Sequence, residues 1–300
     1  MTRESTPRNE ALRTLLVACH RAGIDASSVE PIRLSENAIY RLPHGVVARV
    51  SRTGQLQTAE KEIRIARWLE DSGVRAVQVI PDLDQPVEAD GRAVTFWREL
   101  PSHKYGTSLE VATTLHTLHR LKPPEHFTLP PLNPFVRLAE RIDRAHMFTS
   151  QDRKWLSQHL SDLETRYTEL PPGLQKCVVH GDAWGGNVLL ADDGRVILAD
   201  FERTAFGPPE WDLISTAIKY STFGAISRDE YVAFAETYGH DVMTWEGFPT
   251  LRDIRELRMV TMAAQIGMEN AAIHDEAVSR LATIRGKSGP RPWKHWRPLS

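Results

Sequence analysis

The stretch VVHGDAWGGNVLLADDGRVILADFE, residues 178–202, constrains this chain more than any other part of it. Val178 and Val179 are β-branched and run into His180-Gly181-Asp182, the pattern of a strand that ends in a tight loop. Asn187 opens a second apolar run, NVLLA, and Asp192-Asp193-Gly194 supplies turn chemistry before Val196 to Ala199 returns as a hairpin partner. A hairpin of this length brings Asn187 and Asp200 side by side at its open end, where Asp182 on the incoming loop can also reach. That grouping of acceptor-rich side chains suits a divalent cation and a phosphoryl group. Magnesium takes hard oxygen ligands, usually one or two carboxylates together with substrate phosphates. A further carboxylate can orient a hydroxyl nucleophile and take its proton. A plain buried hairpin requires neither the aspartate at a strand exit nor the histidine.

Composition narrows the class of protein around this segment. The chain has 300 residues, 41% hydrophobic and 25% charged, enough to bury a sizeable core in one large or two smaller folding units. A formal net charge of -2 argues against a nucleic-acid partner, which calls for a basic surface. The two cysteines, Cys19 and Cys177, lack metal-ligand spacing, which argues against a zinc site or disulfide framework and points to a reducing cytoplasm. The polar start, MTRESTPRNE, has no signal-peptide core, and no apolar run is long enough to span a membrane. The default expectation for assembly is a monomer.

Before residue 101 the pattern is that of a small, mostly β layer carrying one long helix. Residues 10–24 read as a helix, PIRLSENAIYRL and VVARVS as strands joined at Pro43-His44-Gly45, and Gln55 to Glu70 as a second helix. Val77 to Ile80 and Ala93 to Trp97 are further strand candidates. After Pro101 helical periodicity takes over, in SLEVATTLHTLHRL, in PFVRLAERIDRAHMF, and in a stripe of Trp155, Leu156, Leu160, Leu163 and Tyr167. Ser227 and Glu230 carry a capping-box signature for a helix that stops at Gly239. The final GKSGPRPWKHWRPLS reads as irregular chain packed on the helical part. The expected domains are 1–100 and 101–300.

HGDxxxxN followed by strand, turn, strand and Asp-Phe resembles the catalytic and metal loops of the protein-kinase-like fold. His-Gly-Asp, with the trailing FGPPEWDL, is more closely similar to the aminoglycoside phosphotransferase family, also called the phosphotransferase enzyme family. The resemblance implies an α+β, two-lobed fold with a β-rich N-lobe and a larger helical C-lobe. It implies transfer of the γ-phosphoryl group of ATP or GTP, with Mg2+, to a hydroxyl of an aminoglycoside-like antibiotic, amino sugar or related metabolite. Under it Asp182 is the catalytic base, Asn187 and Asp200 are the metal ligands, His180 supports the loop, and Asp212 bonds backbone within the helical lobe.

Arg49, in VVARVS, stands where the family's phosphate-binding strand cation lies. Glu62 stands where its pairing glutamate lies, with Glu60 as competitor. Ser35 and Asn37 match the polar positions of the phosphate-covering turn, although LSENAIYRL contains no glycine to let backbone approach phosphate closely. Trp97, Glu99 and Leu100 fall in the connection where a purine would bond to backbone. The short interval between Asp200 and Pro208-Pro209-Glu210, and glycine at 181, point to a small-molecule acceptor and not a protein. Acidic residues outnumber basic ones from 151 to 250, which would favour a cationic acceptor. Glu202, Asp253, Glu256 and Glu269 are the candidate contacts to it. The rival readings are a nucleotide-binding pseudokinase, suggested by the glycine-free turn, and a metal-dependent phosphohydrolase using Asp182 and Asp200.

Overall fold

A computed structural model describes residues 7–34, 37–268 and 270–296. The chain forms two compact units, residues 1–106 with 185–204 and residues 107–184 with 205–300. The hairpin after Asn187 therefore belongs to the first unit, although it follows the boundary near residue 101 drawn from sequence.

The first unit begins with α1 (Pro7–Ala22), β1 (Glu30–Leu34), β2 (Ala38–Leu42), β3 (Val46–Thr53) and α2 (Leu56–Asp71). It continues through β4 (Val87–Ala89), β5 (Arg92–Arg98) and β6 (His103–Tyr105). One antiparallel sheet has the order β1-β2-β3-β5-β4. The β2–β3 turn lies at Pro43–Gly45, where His44 and Gly45 adopt left-handed φ of 62° and 69°. Alternation along β2 and β3 turns Tyr40, Leu42, Ala48 and Val50 inward against Leu15, Ala18 and Cys19 of α1 and Val94 and Phe96 of β5. Phe96 is fully buried, and burial of such a side chain is worth about 2–3 kcal/mol. Val77 to Ile80 does not form a strand; the segment 76–79 makes only isolated bridges, Ala76 to Leu198 and Val79 to Trp97.

In the second unit, α3 (Ser108–Leu118), α4 (Leu138–Arg144) and α5 (Ser150–Thr168) precede β7 (Cys177–Val179). The chain returns to the first unit for β8 (Val188–Ala191) and β9 (Val196–Leu198), which extend β6 into a sheet of order β6-β8-β9. β10 (Ala205–Gly207) then pairs with β7 in the second unit, and α6 (Glu210–Ser221), α7 (Arg228–Tyr238), α8 (Phe248–Gly267) and α9 (Ala271–Ile284) complete it.

Helix α8 packs against α4, α5, α6 and α9. Its Leu251, Ile254, Leu257, Val260, Ala263 and Ala264 are fully buried, as expected of a helix enclosed on several sides. Of the predicted α5 stripe, Leu156, Leu160 and Leu163 are core, while Trp155 and Tyr167 are half-buried. The predicted helix over 134–148 is shorter, because Arg137 takes a left-handed φ of 64° before Leu138. The tail packs on this unit: Trp293 and Trp296 are buried, and the Trp293 N–H donates to Thr222 O at 2.6 Å. Among the described residues, no helix is long and apolar enough to cross a membrane.

Candidate active site

The hairpin decides the geometry of the first unit's polar group. Val188 pairs with Leu198, and the Ala199 N–H donates to Asn187 O at 2.9 Å, so Asn187 sits opposite Ala199, next to Asp200. Gly194, at φ 80°, carries the turn, and Asp193 accepts from the Arg195 N–H and guanidinium. Leu189, Ala191 and Ile197 anchor the hairpin on Val77, Leu100 and Ala199. Asn187 is buried and Asp200 exposed, with Asp200 in the left-handed region at φ 66°, a conformation aspartate tolerates better than most residues. An amide oxygen and a carboxylate are hard donors that leave further coordination positions to phosphate and water, which fits a magnesium-like cation.

Arg49 lies in the same unit, in the middle of β3, opposite Ile39 of β2 and Thr95 of β5. Its Nη1 donates to both carboxylate oxygens of Glu62, at 2.8 and 3.0 Å. Glu60, the competing acid, instead lies within 4.0 Å of Arg64 on the exposed side of α2. Turned to match donor with acceptor, the Asn37 amide oxygen accepts from Arg49 Nε at 3.2 Å and Nη2 at 2.8 Å. Glu202 approaches Arg49 Nη2 at 3.8 Å, and Lys61 Nζ donates to the Glu202 carbonyl at 2.8 Å.

Burial opposes the charge on Arg49, but Glu62, Asp200 and Glu202 outweigh it and raise the guanidinium above its ordinary value. Burial pushes the Glu62 carboxyl up to about 7; Arg49 pulls it down, while the charge of Asp200 adds to the rise. Arg49 therefore stands among anionic groups, as a phosphate-binding cation held by an internal acid would.

Trp97, Glu99 and Leu100 have structural partners of their own. Trp97 Nε1 donates to Thr95 Oγ1 at 2.8 Å, and Glu99 accepts from Arg41 Nε at 2.6 Å. The Glu99 N–H donates to Gly45 O at 2.7 Å, and Leu100 joins the apolar cluster under the hairpin. Ser35 and Glu269 lie outside the described residues.

The second unit holds His180-Gly181-Asp182 by a different set of contacts. Asp212, at the start of α6 and fully buried, accepts the His180 N–H at 2.6 Å and the Gly181 N–H at 2.8 Å. His119 Nε2 donates to the same carboxylate at 3.1 Å, and Tyr238 Oη donates to His119 Nδ1 at 2.8 Å. Burial works against the Asp212 charge, yet the His119 hydrogen bond, the nearby histidines and the His180 N–H outweigh it and hold the carboxyl below the usual range. Gly181 takes φ 83°, left-handed backbone that favours glycine, and its carbonyl accepts from Trp211 Nε1 at 2.9 Å. The Asp182 N–H donates to His180 Nδ1 at 3.3 Å, so the histidine braces the loop. The Asp182 side chain remains 41% exposed.

Asp253 and Glu256 of α8 are committed within the protein. Asp253 accepts from Arg166 at 3.0 Å and Arg252 at 2.9 Å, while Glu256 accepts from Thr222 Oγ1 at 2.8 Å and Arg291 at 2.5 Å. The neighbouring residue Arg255, which the sequence did not single out, contacts Asp182 Oδ1 through Nη1 at 3.3 Å. Helical periodicity marks Arg255 as one of several arginines on α8, and no local signal names its partner.

Among solved structures, the chain is similar to the amicoumacin kinase hAmiN in complex with AMP-PNP, Ca2+ and Ami, at 15% identity and TM-score 0.70, covering 98% of this chain and 99% of that one. It is similar to the spectinomycin phosphotransferase APH(9)-Ia in complex with ADP and spectinomycin, at 14% identity and TM-score 0.63, covering 93% and 95%. It is also similar to choline kinase LicA from Streptococcus pneumoniae, at 16% identity and TM-score 0.63, covering 92% and 99%. No curated protein sequence matches the chain. The fold is that of the kinase-like phosphotransferases, a β-rich N-terminal region and a helical C-terminal region. The family model described as the phosphotransferase enzyme family matches residues 28–254, and the chain belongs to that family. Membership of that family makes the protein a phosphotransferase.

Proposed function

We propose that the protein transfers the γ-phosphoryl group of ATP or GTP to a hydroxyl of a small molecule, an aminoglycoside-like antibiotic, an amino sugar or a related metabolite. The observation that carries this reading is the polar group of the first unit. There a buried glutamate holds Arg49 near Asp200, and Asn187 stands across the hairpin end from Ala199. Asn187 and Asp200 would hold Mg2+, which when bound offsets charge on the triphosphate. Arg49, kept in place by Glu62 and Asn37, contacts phosphate through its remaining donor capacity. Asp182 accepts the hydroxyl proton as the hydroxyl oxygen bonds to the γ-phosphorus and the bond to the nucleoside diphosphate breaks.

The names of the similar structures support a choice of acceptors to test. They include spectinomycin, kanamycin bound together with GDP, Ami and choline. With Asp253 and Glu256 engaged by arginines, Glu202 is the candidate carboxylate, partly exposed and with ion pairs at the longer distances of 3.7 and 3.8 Å. Nucleotide consumption with Mg2+ against aminoglycosides, peptide antibiotics, amino sugars and choline-like alcohols tests the reading. Turnover stimulated by one acceptor and abolished in Asp182→Ala is the expected result. Phosphate release without any acceptor requirement would indicate a phosphohydrolase, and nucleotide binding without turnover a pseudokinase.

A further inference from the structure

Arg255 has an environment unlike that of the other arginines on α8. It is 7% exposed overall, and its guanidinium carbon lies 4.1 Å from the centroid of a Trp211 ring. Nη2 donates to Trp211 O at 3.2 Å and, more weakly, to Gly181 O at 3.4 Å. Nη1 reaches Asp182 Oδ1 at 3.3 Å. The fork of a planar guanidinium thus spans the backbone and the side chain of one loop, with an aromatic ring fixing its plane. By contrast, Arg252 of α8 pairs with Asp253, and Arg258 donates to Pro134 O at 2.8 Å.

The loop is consequently held from two sides. Asp212 takes its N–H groups, while Trp211 and Arg255 take the Gly181 carbonyl. Those bonds fix the backbone, from which the Asp182 side chain extends 41% exposed. The bond from Nη1 gives one carboxylate oxygen a fixed, charged partner and leaves the other oxygen outside this contact. A base must present a lone pair in one direction, and small misplacement of such a group is costly.

We infer that Arg255 is a positioning residue for phosphoryl transfer, which orients the Asp182 carboxylate by binding one of its oxygens and the carbonyl of Gly181. This rests on the reading of Asp182 as the base. Arg255 itself touches neither nucleotide nor acceptor in this role.

The test is a double-mutant cycle of Arg255→Gln and Asp182→Asn, read by ATP turnover with Mg2+. Water serves as the acceptor, and the assay is repeated with any compound that stimulates the wild type. Arg255→Gln is expected to lower kcat about 10- to 100-fold, the range for a lost hydrogen bond to a charged group. Affinity for AMP-PNP with Mg2+ should stay within about twofold, and Arg255→Lys should recover part of kcat. In the Asp182→Asn background, Arg255→Gln should have no further effect, because its action passes through that carboxylate.

An equal loss of kcat in both backgrounds would overturn the inference, as would wild-type kcat in a folded Arg255→Gln variant. If Arg255→Gln does not fold, the same cycle is run with Arg255→Lys, where additivity again overturns the assignment. If Asp182→Asn retains full turnover, the base assignment fails first and the role of Arg255 with it. That outcome is distinct from additivity in an Asp182→Asn variant whose turnover is lowered but still measurable.

Discussion

Replacing Asp212 by alanine tests the part of the account that rests on burial and hydrogen bonding alone. The carboxylate is fully buried and accepts three bonds, from the His180 N–H at 2.6 Å, the Gly181 N–H at 2.8 Å and His119 Nε2 at 3.1 Å. Alanine strands two backbone donors and a ring donor in the interior, where each unsatisfied group costs about 1–3 kcal/mol. Partial relaxation brings the sum to about 3–5 kcal/mol, the range for breaking a buried charged pair. In a chain of this size that lowers Tm by about 5–15 °C. Differential scanning calorimetry on wild type and Asp212→Ala reads the shift, and because two units can melt separately, the comparison should be made transition by transition. The structure also sets the pH dependence. The folded carboxyl lies below its ordinary value, so its contribution is fully present above the unfolded pKa of about 3.9 and is lost as pH falls below that. The Tm difference should therefore be constant near neutrality and shrink in acid. A shift under about 2 °C at pH 7, or a difference that grows in acid, would refute the reasoning.

Three further outcomes follow from the same contacts. Glu62 is raised to about 7, so the folded state keeps a proton that the unfolded chain has released between about 4.5 and 7. Wild-type stability should decline by up to about 3 kcal/mol across that window, and urea melts of Glu62→Gln should lack the decline. Under the proposed function, Asn187→Ala and Asp200→Ala should each weaken AMP-PNP binding about tenfold or more in Mg2+ yet change it little in EDTA, as isothermal titration would show. Trp293→Ala removes a buried ring that stacks on Trp296 at 5.4 Å and lies under Arg291 at 4.3 Å. It should cost about 3–5 kcal/mol in the second unit, measured by thermal melting.

Legibility in the sequence tracked the range of the interactions involved. The β8–β9 hairpin and α2 were readable because turn residues and periodicity are local signals. β6 and β10, three residues each, exist because β8 and β7 offer them partners distant in sequence, and no alternation of three residues announces that. The capping box at Ser227 is half formed. Ser227 Oγ accepts the Glu230 N–H at 3.1 Å, but the Glu230 carboxylate accepts from Ser108 Oγ at 2.7 Å, a tertiary partner that outbids the local one. At the site, residue types and spacing made Asp182, Asn187 and Asp200 candidates. The commitment of Asp253 and Glu256 to Arg166, Arg252 and Arg291, and of Arg255 to Asp182, depends on which helix faces meet.

The central claim, transfer of a phosphoryl group to an acceptor hydroxyl with Asp182 as base, is tested most directly by identifying the phosphorylated product. Purified protein, ATP or GTP, Mg2+ and the acceptor that stimulates turnover should yield, by 31P NMR and mass spectrometry, one phosphate ester per nucleotide consumed. Asp182→Ala should yield none while still binding AMP-PNP. Inorganic phosphate as the sole phosphorus product besides the nucleoside diphosphate, or undiminished ester formation by Asp182→Ala, would contradict it.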